Sequence, residues 1–179
     1  MATVNNLGEA FYKSLIYFLR SAADLNSDFV DRFWRANPDF PLSEKTLPFV
    51  LINAVMDEDD INVQPDTAGY ESREMTFTFV IMVYCDTFAN QVKLPELVKR
   101  TIEKATVSSV DGFQIYKGFD SNGDPDVGSE LVVAEPILGN VYPVGGETEE
   151  DLIRKFSSAI AGEWSILRDS TKKFIDSDS

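Results

Sequence analysis

The chain reads as an α+β protein: a mainly antiparallel β-sheet, two helices packed on one face, and a long loop between two of the strands. Three observations predict this. "LGEAFYKSLIYFLRSAADL" repeats apolar residues at steps of three and four, the spacing of one buried helix face. "REMTFTFVIMVYCD" alternates at period two, as a strand does. The elements run helix, two strands, helix, then strands, which suits helices on one face of an antiparallel sheet. At 179 residues the chain fits a single domain, 1–179, with its core at about 7–168 and a loose tail over 169–179.

The first helix spans 7–25, with Leu7, Phe11, Leu15, Phe18, Ala22 and Leu25 on its buried face. Tyr12, Ile16 and Leu19 widen that face, which suits a well-covered core helix and also a subunit contact. Residues 29–36 are ordered, and Phe29, Val30, Phe33 and Trp34 fit a helix or a short strand. Pro38, Pro41 and Pro48 then call for an extended link. The short apolar run 47–56, "LPFVLINAVM", has the length of a strand. Residues 73–86 form the next strand, with Met75, Phe77, Phe79, Ile81, Val83 and Cys85 on one side. Its other side begins with Thr76 and Thr78 and ends with Val80, Met82 and Tyr84, so the strand enters a sheet covered on both faces. These two strands should pair as a hairpin with a long connection.

A second helix over 94–105 places Pro95 in its first turn and Leu97, Val98, Ile102 and Ala105 on one face. "GFQIYKGF" and "SELVVAEPIL" are strand-like runs, and "TEEDLIRKF" offers a capping box from Thr148 to Asp151. "AIAGEWSILRD" alternates Ile160, Gly162, Trp164 and Ile166 against Ala161, Glu163, Ser165 and Leu167, and reads as a last strand.

Composition removes several functions. The chain is 44% hydrophobic, too apolar for a disordered protein. No apolar run reaches the roughly 18 to 20 residues that span a bilayer, so no membrane is expected. The N-terminus lacks the basic region and cleavage site of a signal peptide, and Cys85 is the only cysteine, which points to assembly in a cytoplasm. Histidine is absent, and with it the commonest general base and transition-metal ligand. The net charge of −14 argues against a face that binds nucleic acid by neutralising phosphates.

The acidic stretches are the first candidates for chemistry. "FDSNGDPDVGSE" (119–130) alternates Asp120, Asn122, Asp124 and Asp126 as calcium ligands would. The sixth loop position, which must be glycine, is Pro125, and the twelfth, which must be glutamate, is Leu131. Asn122-Gly123 is a favoured turn pair, so the stretch reads as a hairpin loop. The run Asp57, Glu58, Asp59 and Asp60 has adjacent carboxylates that diverge in a hydrophilic connection, a poor place for a general acid. Cys85 lies on an apolar strand face, where a thiol is inert packing. "GNVYPVGG" lacks the lysine of a phosphate loop, and "VGSEL" is not a nucleophile elbow. The chain is therefore expected to be no enzyme and to hold no cofactor and no metal.

The order of parts resembles that of the phage tail terminator proteins, which cap the head-proximal end of a tail tube. The resemblance lies in the opening helix "LGEAFYKSLIYFLRSAADL", the strand "LPFVLI" after a proline-containing link, and a long polar loop. "REMTFTFVIMVYC", the helix "LPELVKRTIEKA", a loop-separated strand pair and a final strand complete it. It covers most of 7–168, while 136–158 is longer than the family's ending. The resemblance implies a non-enzymatic homo-hexameric ring in the virion, stacked on the last ring of tail tube protein, which stops polymerisation and offers a surface to the head–tail connector or neck. Double-stranded DNA would pass through without being bound, and an acidic lumen would repel it.

On that reading, Tyr12, Ile16, Leu19, Phe33 and Trp34 are apolar positions a neighbour could cover. Arg20, Arg32 and Arg35 are scarce cations suited to a neighbour's carboxylates, though all eight also read as ordinary core and surface. The loop carrying Asp57, Glu58, Asp59, Asp60, Tyr70 and Glu71 is expected at a ring face or the lumen. The rival readings are a neck, head-completion or tube protein, a monomeric ligand-binding or chaperone-like domain with an apolar pocket, and a metalloenzyme using Asp120–Asp126.

Overall fold

The computed structural model describes residues 2–3, 7–37, 39–53, 56–58, 64–65, 71–107, 112–145 and 155–169. The fold is α+β. Its frame is a pair of long antiparallel strands, β6 (Glu71–Cys85) and β11 (Phe156–Asp169). They run without a register shift from Phe156 opposite Cys85 to Asp169 opposite Ser72. On one side of β11 lies β10 (Ile137–Pro143). On the far side of β6 lie β3 (Phe49–Ile52) and then β2 (Phe33–Arg35), giving the order β10-β11-β6-β3-β2. Every pairing is antiparallel except β2 with β3, which is parallel.

Alternation sorts β6 between two cores. Phe77, Phe79, Ile81, Val83 and Cys85 are buried on the helix side, as period two requires. They meet Ala10, Phe11, Leu15 and Leu19 of α1 (Leu7–Ser21), Leu25 and Phe29 of α2 (Ala23–Phe29), and Leu94, Val98 and Ile102 of α3 (Phe88–Val107). On the opposite face Tyr84 joins Phe49 and Leu51 in a smaller cluster, with Trp34, Phe40, Leu42 and Leu47 packed against it. The link after β2, which holds a 3-10 turn at Leu42–Glu44, therefore covers the second face. The doubly covered strand expected from the sequence is present.

Several boundaries differ from expectation. The helix expected over 7–25 is two helices, broken at Ala22, whose backbone is extended (φ −75°, ψ 108°). No glycine or proline dictates the break. It lets α2 turn so that Leu25 and Phe29 stay in the same core, with Phe29 5.3 Å from Phe33. Residues 29–36 hold the end of this helix and the whole of β2, separated by left-handed backbone at Val30 (φ 48°) and Asp31 (φ 59°). The second helix begins at Phe88, not 94. Thr87 caps it by accepting the Asn90 N–H at 3.2 Å, and Asp86 accepts from the Asn90 amide at 2.6 Å. Pro95 thus lies inside the helix, where it removes one backbone bond.

The strand expected over 47–56 is two pieces. Ile52 sits opposite Ile81 of β6, but Met56 of β4 (Met56–Glu58) sits opposite Thr78, so the register slips by one residue, as at a bulge. The connection expected to be a polar loop is also partly sheet. Asp57 and Glu58 belong to β4, Gln64–Pro65 (β5) pairs with Ser72 and Glu71, and Glu71 opens β6. "SELVVAEPIL" splits at Pro136 into β9 (Glu130–Ala134), which pairs with β7 (Phe113–Tyr116), and β10. Short β1 (Ala2–Thr3) pairs with β8 (Gly118–Phe119). The last strand alternates as expected, with Ile160 and Trp164 buried. Gly162 faces Phe79 so closely that a Cβ there would stand 2.4 Å from the ring. The capping box Thr148–Asp151 and the tail from 170 lie outside the described residues.

Candidate assembly surface

The eight residues singled out for an interface gather where α1 crosses β2, but they do different work. Leu19 and Phe33 are fully buried in the chain's own core and offer nothing to a neighbour. This corrects the idea that they are surplus. Ile16 is half-buried against the same core. Arg32 spends its guanidinium within the chain: Nε donates to the Phe29 carbonyl at 2.6 Å and Nη2 to that of Asp28 at 3.3 Å. Nη1 reaches the Leu47 carbonyl at 3.3 Å, so Arg32 closes the end of α2 onto the link. It is no free cation.

Arg20 donates from Nη2 to the Phe33 carbonyl at 3.0 Å, covering an outward group of the β2 edge. It lines a cavity of about 440 Å³ with Tyr17, Ser21, Asp31 and Asp124, and its buried Nε has no hydrogen-bond partner among the described residues. Arg35 is exposed and lies over the Tyr12 ring at 4.5 Å. On the opposite face of the same strand, Trp34 packs 5.8 Å from both Phe40 and Phe49. Lys45 stands over Trp34 at 5.2 Å and Phe40 at 5.4 Å. The sequence reading missed Lys45, because it sits on the link and meets Trp34 of β2 only where the link folds back over that strand.

Asp59, Asp60 and Tyr70 lie outside the described residues; Asp57, Glu58 and Glu71 have the strand positions given above. The acidic stretch 119–130 is a closed turn. Asp120 Oδ1 accepts the N–H of Asn122 at 2.8 Å and of Asp124 at 2.9 Å, an Asx-type arrangement, and Gly123 supplies the positive φ of +86°. Among the described residues no group of three or more Asp, Glu or Cys side chains is placed to hold a metal ion.

Cys85 is buried on the helix face. Burial, and secondarily the Asp86 carboxylate, push its thiol from 9.0 up to about 12, because a thiolate is costly away from water. A folded-state pKa raised in this way contributes stability that is whole below pH about 9 and is lost as the pH rises towards about 12. At pH 8 an aromatic disulfide reagent is expected to leave the folded protein unmodified and to titrate one thiol in urea. Rapid modification of the folded protein would show that β6 opens.

No protein-family model matches the chain, and no curated protein sequence does. Among solved structures, the chain is similar to one from "Virion of native gene transfer agent (GTA) particle". The identity is 14% and the TM-score 0.48, with 93% of this chain and 100% of that chain covered.

Proposed function

We propose that this protein is a non-enzymatic structural component of a phage tail, a terminator that closes as a homo-hexameric ring on the end of the tail tube. In that role it stops polymerisation and provides the surface for the head–tail connector. The observation that carries the reading is the order of parts: amphipathic helix α1 with short α2 and β2, proline-bearing link, apolar strand, acid-rich excursion, long alternating strand, helix α3 and closing strands. The charge supports it. A subunit at −14 lining a lumen repels the phosphates that must slide past. The acidic run from Asp57 to Asp60 belongs, on this reading, to the lumen or a ring face.

Light scattering behind a sizing column, over a range of concentrations, tests the proposal. The expected result is a discrete species of six chains that grows in as concentration rises. Long polymers would make the protein a tube component instead. A single chain at every concentration would overturn the ring.

A further inference from the structure

We infer that the β2 edge of the sheet receives a carboxylate-bearing face of a second copy of this chain, with Arg35 and Lys45 as the receiving cations. The inference rests on the self-association proposed above and names the face it uses. Acidic residues outnumber basic ones, 30 against 16; several cations, Arg100 and Lys104 among them, still have no carboxylate among the described residues. What sets Arg35 and Lys45 apart is that both stand on rings beside one edge strand. Lys13, Lys93 and Lys99 have carboxylate partners, in Glu9 at 3.0 Å, Asp28 at 3.4 Å and Glu103 at 3.7 Å. Arg35 and Lys45 form no ion pair among the described residues. Each rests instead on aromatic rings, Arg35 on Tyr12 and Lys45 on Trp34 and Phe40.

That arrangement leaves the charge intact and the side chain already placed. A ring attracts a cation without neutralising it, and a side chain held on a ring loses less freedom when a partner arrives. The two cations flank one edge strand from opposite faces, Arg35 on the α1 side and Lys45 on the Trp34 side. Arg20 meanwhile closes the Phe33 carbonyl, so recognition here works through charge and not by adding a strand. A second copy carries the same 30 acidic residues and can set a carboxylate-bearing patch against these two cations, although the two copies, at −14 each, repel as whole bodies. Nucleic acid also carries that sign, but a face that binds it neutralises on the order of 6–10 phosphates, and two cations on so acidic a body cannot.

The test measures association of the full chain by light scattering at low and high salt. It compares wild type, the double variant Arg35→Glu/Lys45→Glu, the milder Arg35→Gln/Lys45→Gln, and a control, Arg100→Glu/Lys104→Glu. Arg100 and Lys104 are exposed on α3, so the control shifts the net charge as much as the first variant but elsewhere. The expected result is at least about a tenfold loss for the Glu pair at low salt, a gap from wild type that narrows as salt screens it, a smaller loss for the Gln pair, and a control within about twofold of wild type. Unchanged melting temperatures would confirm that the variants fold. A Glu pair that assembles like wild type would overturn this surface and leave the ring standing. Equal losses in the Glu pair and the control would overturn it too, as general repulsion, and a wild type that stays a single chain would remove both readings. Binding of duplex DNA by wild type that the Glu pair loses would reassign the surface to phosphate.

Discussion

Replacing Phe11 with alanine is expected to lower the unfolding free energy by about 3–5 kcal/mol, the range for truncating a fully buried aromatic residue. Phe11 has no exposed surface. Its ring stacks on Trp164 of β11 at 4.7 Å and lies 5.1 Å from Phe79 of β6 and 5.5 Å from Phe113 of β7. One side chain of α1 thus joins the long strand pair to the smaller sheet. Its neighbours sit on strands held by their own ladders, so the site cannot collapse to fill the space, and the cavity cost stays high. Phe18 is the internal comparison: it stacks on Phe113 at 5.4 Å but is only half-buried. Its alanine variant should lose clearly less. Urea unfolding of both variants decides the matter, and a loss near 1 kcal/mol for Phe11→Ala would mean that α1 is not the keystone of this core.

Signals carried by several consecutive side chains were legible in the sequence. The alternation from Phe77 to Cys85 survives as two buried faces because period two is a property of the backbone itself. Phe11, Leu15 and Leu25 of the expected helix stripe stay buried for the corresponding reason at helical period. Signals resting on one residue were read less well. Pro95 looked like a first-turn proline, yet the helix starts at Phe88 because Thr87 caps it. Pro136 ends β9 and frees β10 to join a different sheet, and a run of apolar residues on both sides concealed that. The break at Ala22 has no local signal, since packing of Leu25 and Phe29 dictates it. Residues 29–36 fit two patterns because they contain a helix end and a strand.

The candidate surface was legible only in outline. The sequence shows that cations are scarce and that Arg20, Arg32 and Arg35 lie close along the chain. Which of them remain available depends on carbonyls and rings contributed by distant segments. Arg32 is consumed by Phe29, Asp28 and Leu47, whereas Arg35 lies over the Tyr12 ring and forms no ion pair among the described residues. Lys45 joins it because the link folds back over Trp34. Burial is likewise a property of the assembled fold, which is why Leu19 reads as surplus until α1 packs into the core and Phe33 until β2 pairs with β3.

Gly112→Ala is expected to cost about 3 kcal/mol or more, from two causes that a second glycine can separate. Gly112 stands just before β7 with φ +89°, a conformation in which a side chain is strained by about 1–3 kcal/mol. Its N–H also donates to the Ala105 carbonyl of α3 at 2.6 Å. A Cβ there would lie 1.8 Å from the Ala134 oxygen and 2.7 Å from the Ala134 carbonyl carbon. Both are backbone atoms of β9, and Ala134 pairs with Phe113, so neither strand can yield without breaking the small sheet. Gly128 has φ +110° with nothing within 4 Å of the same Cβ position, and Gly128→Ala therefore pays the backbone strain alone. Urea unfolding of the two variants should show Gly112→Ala well below Gly128→Ala. Equal losses would mean that the turn before β7 moves aside, and that the start of the β7–β9 pairing is not held as tightly as the closeness of Ala134 implies.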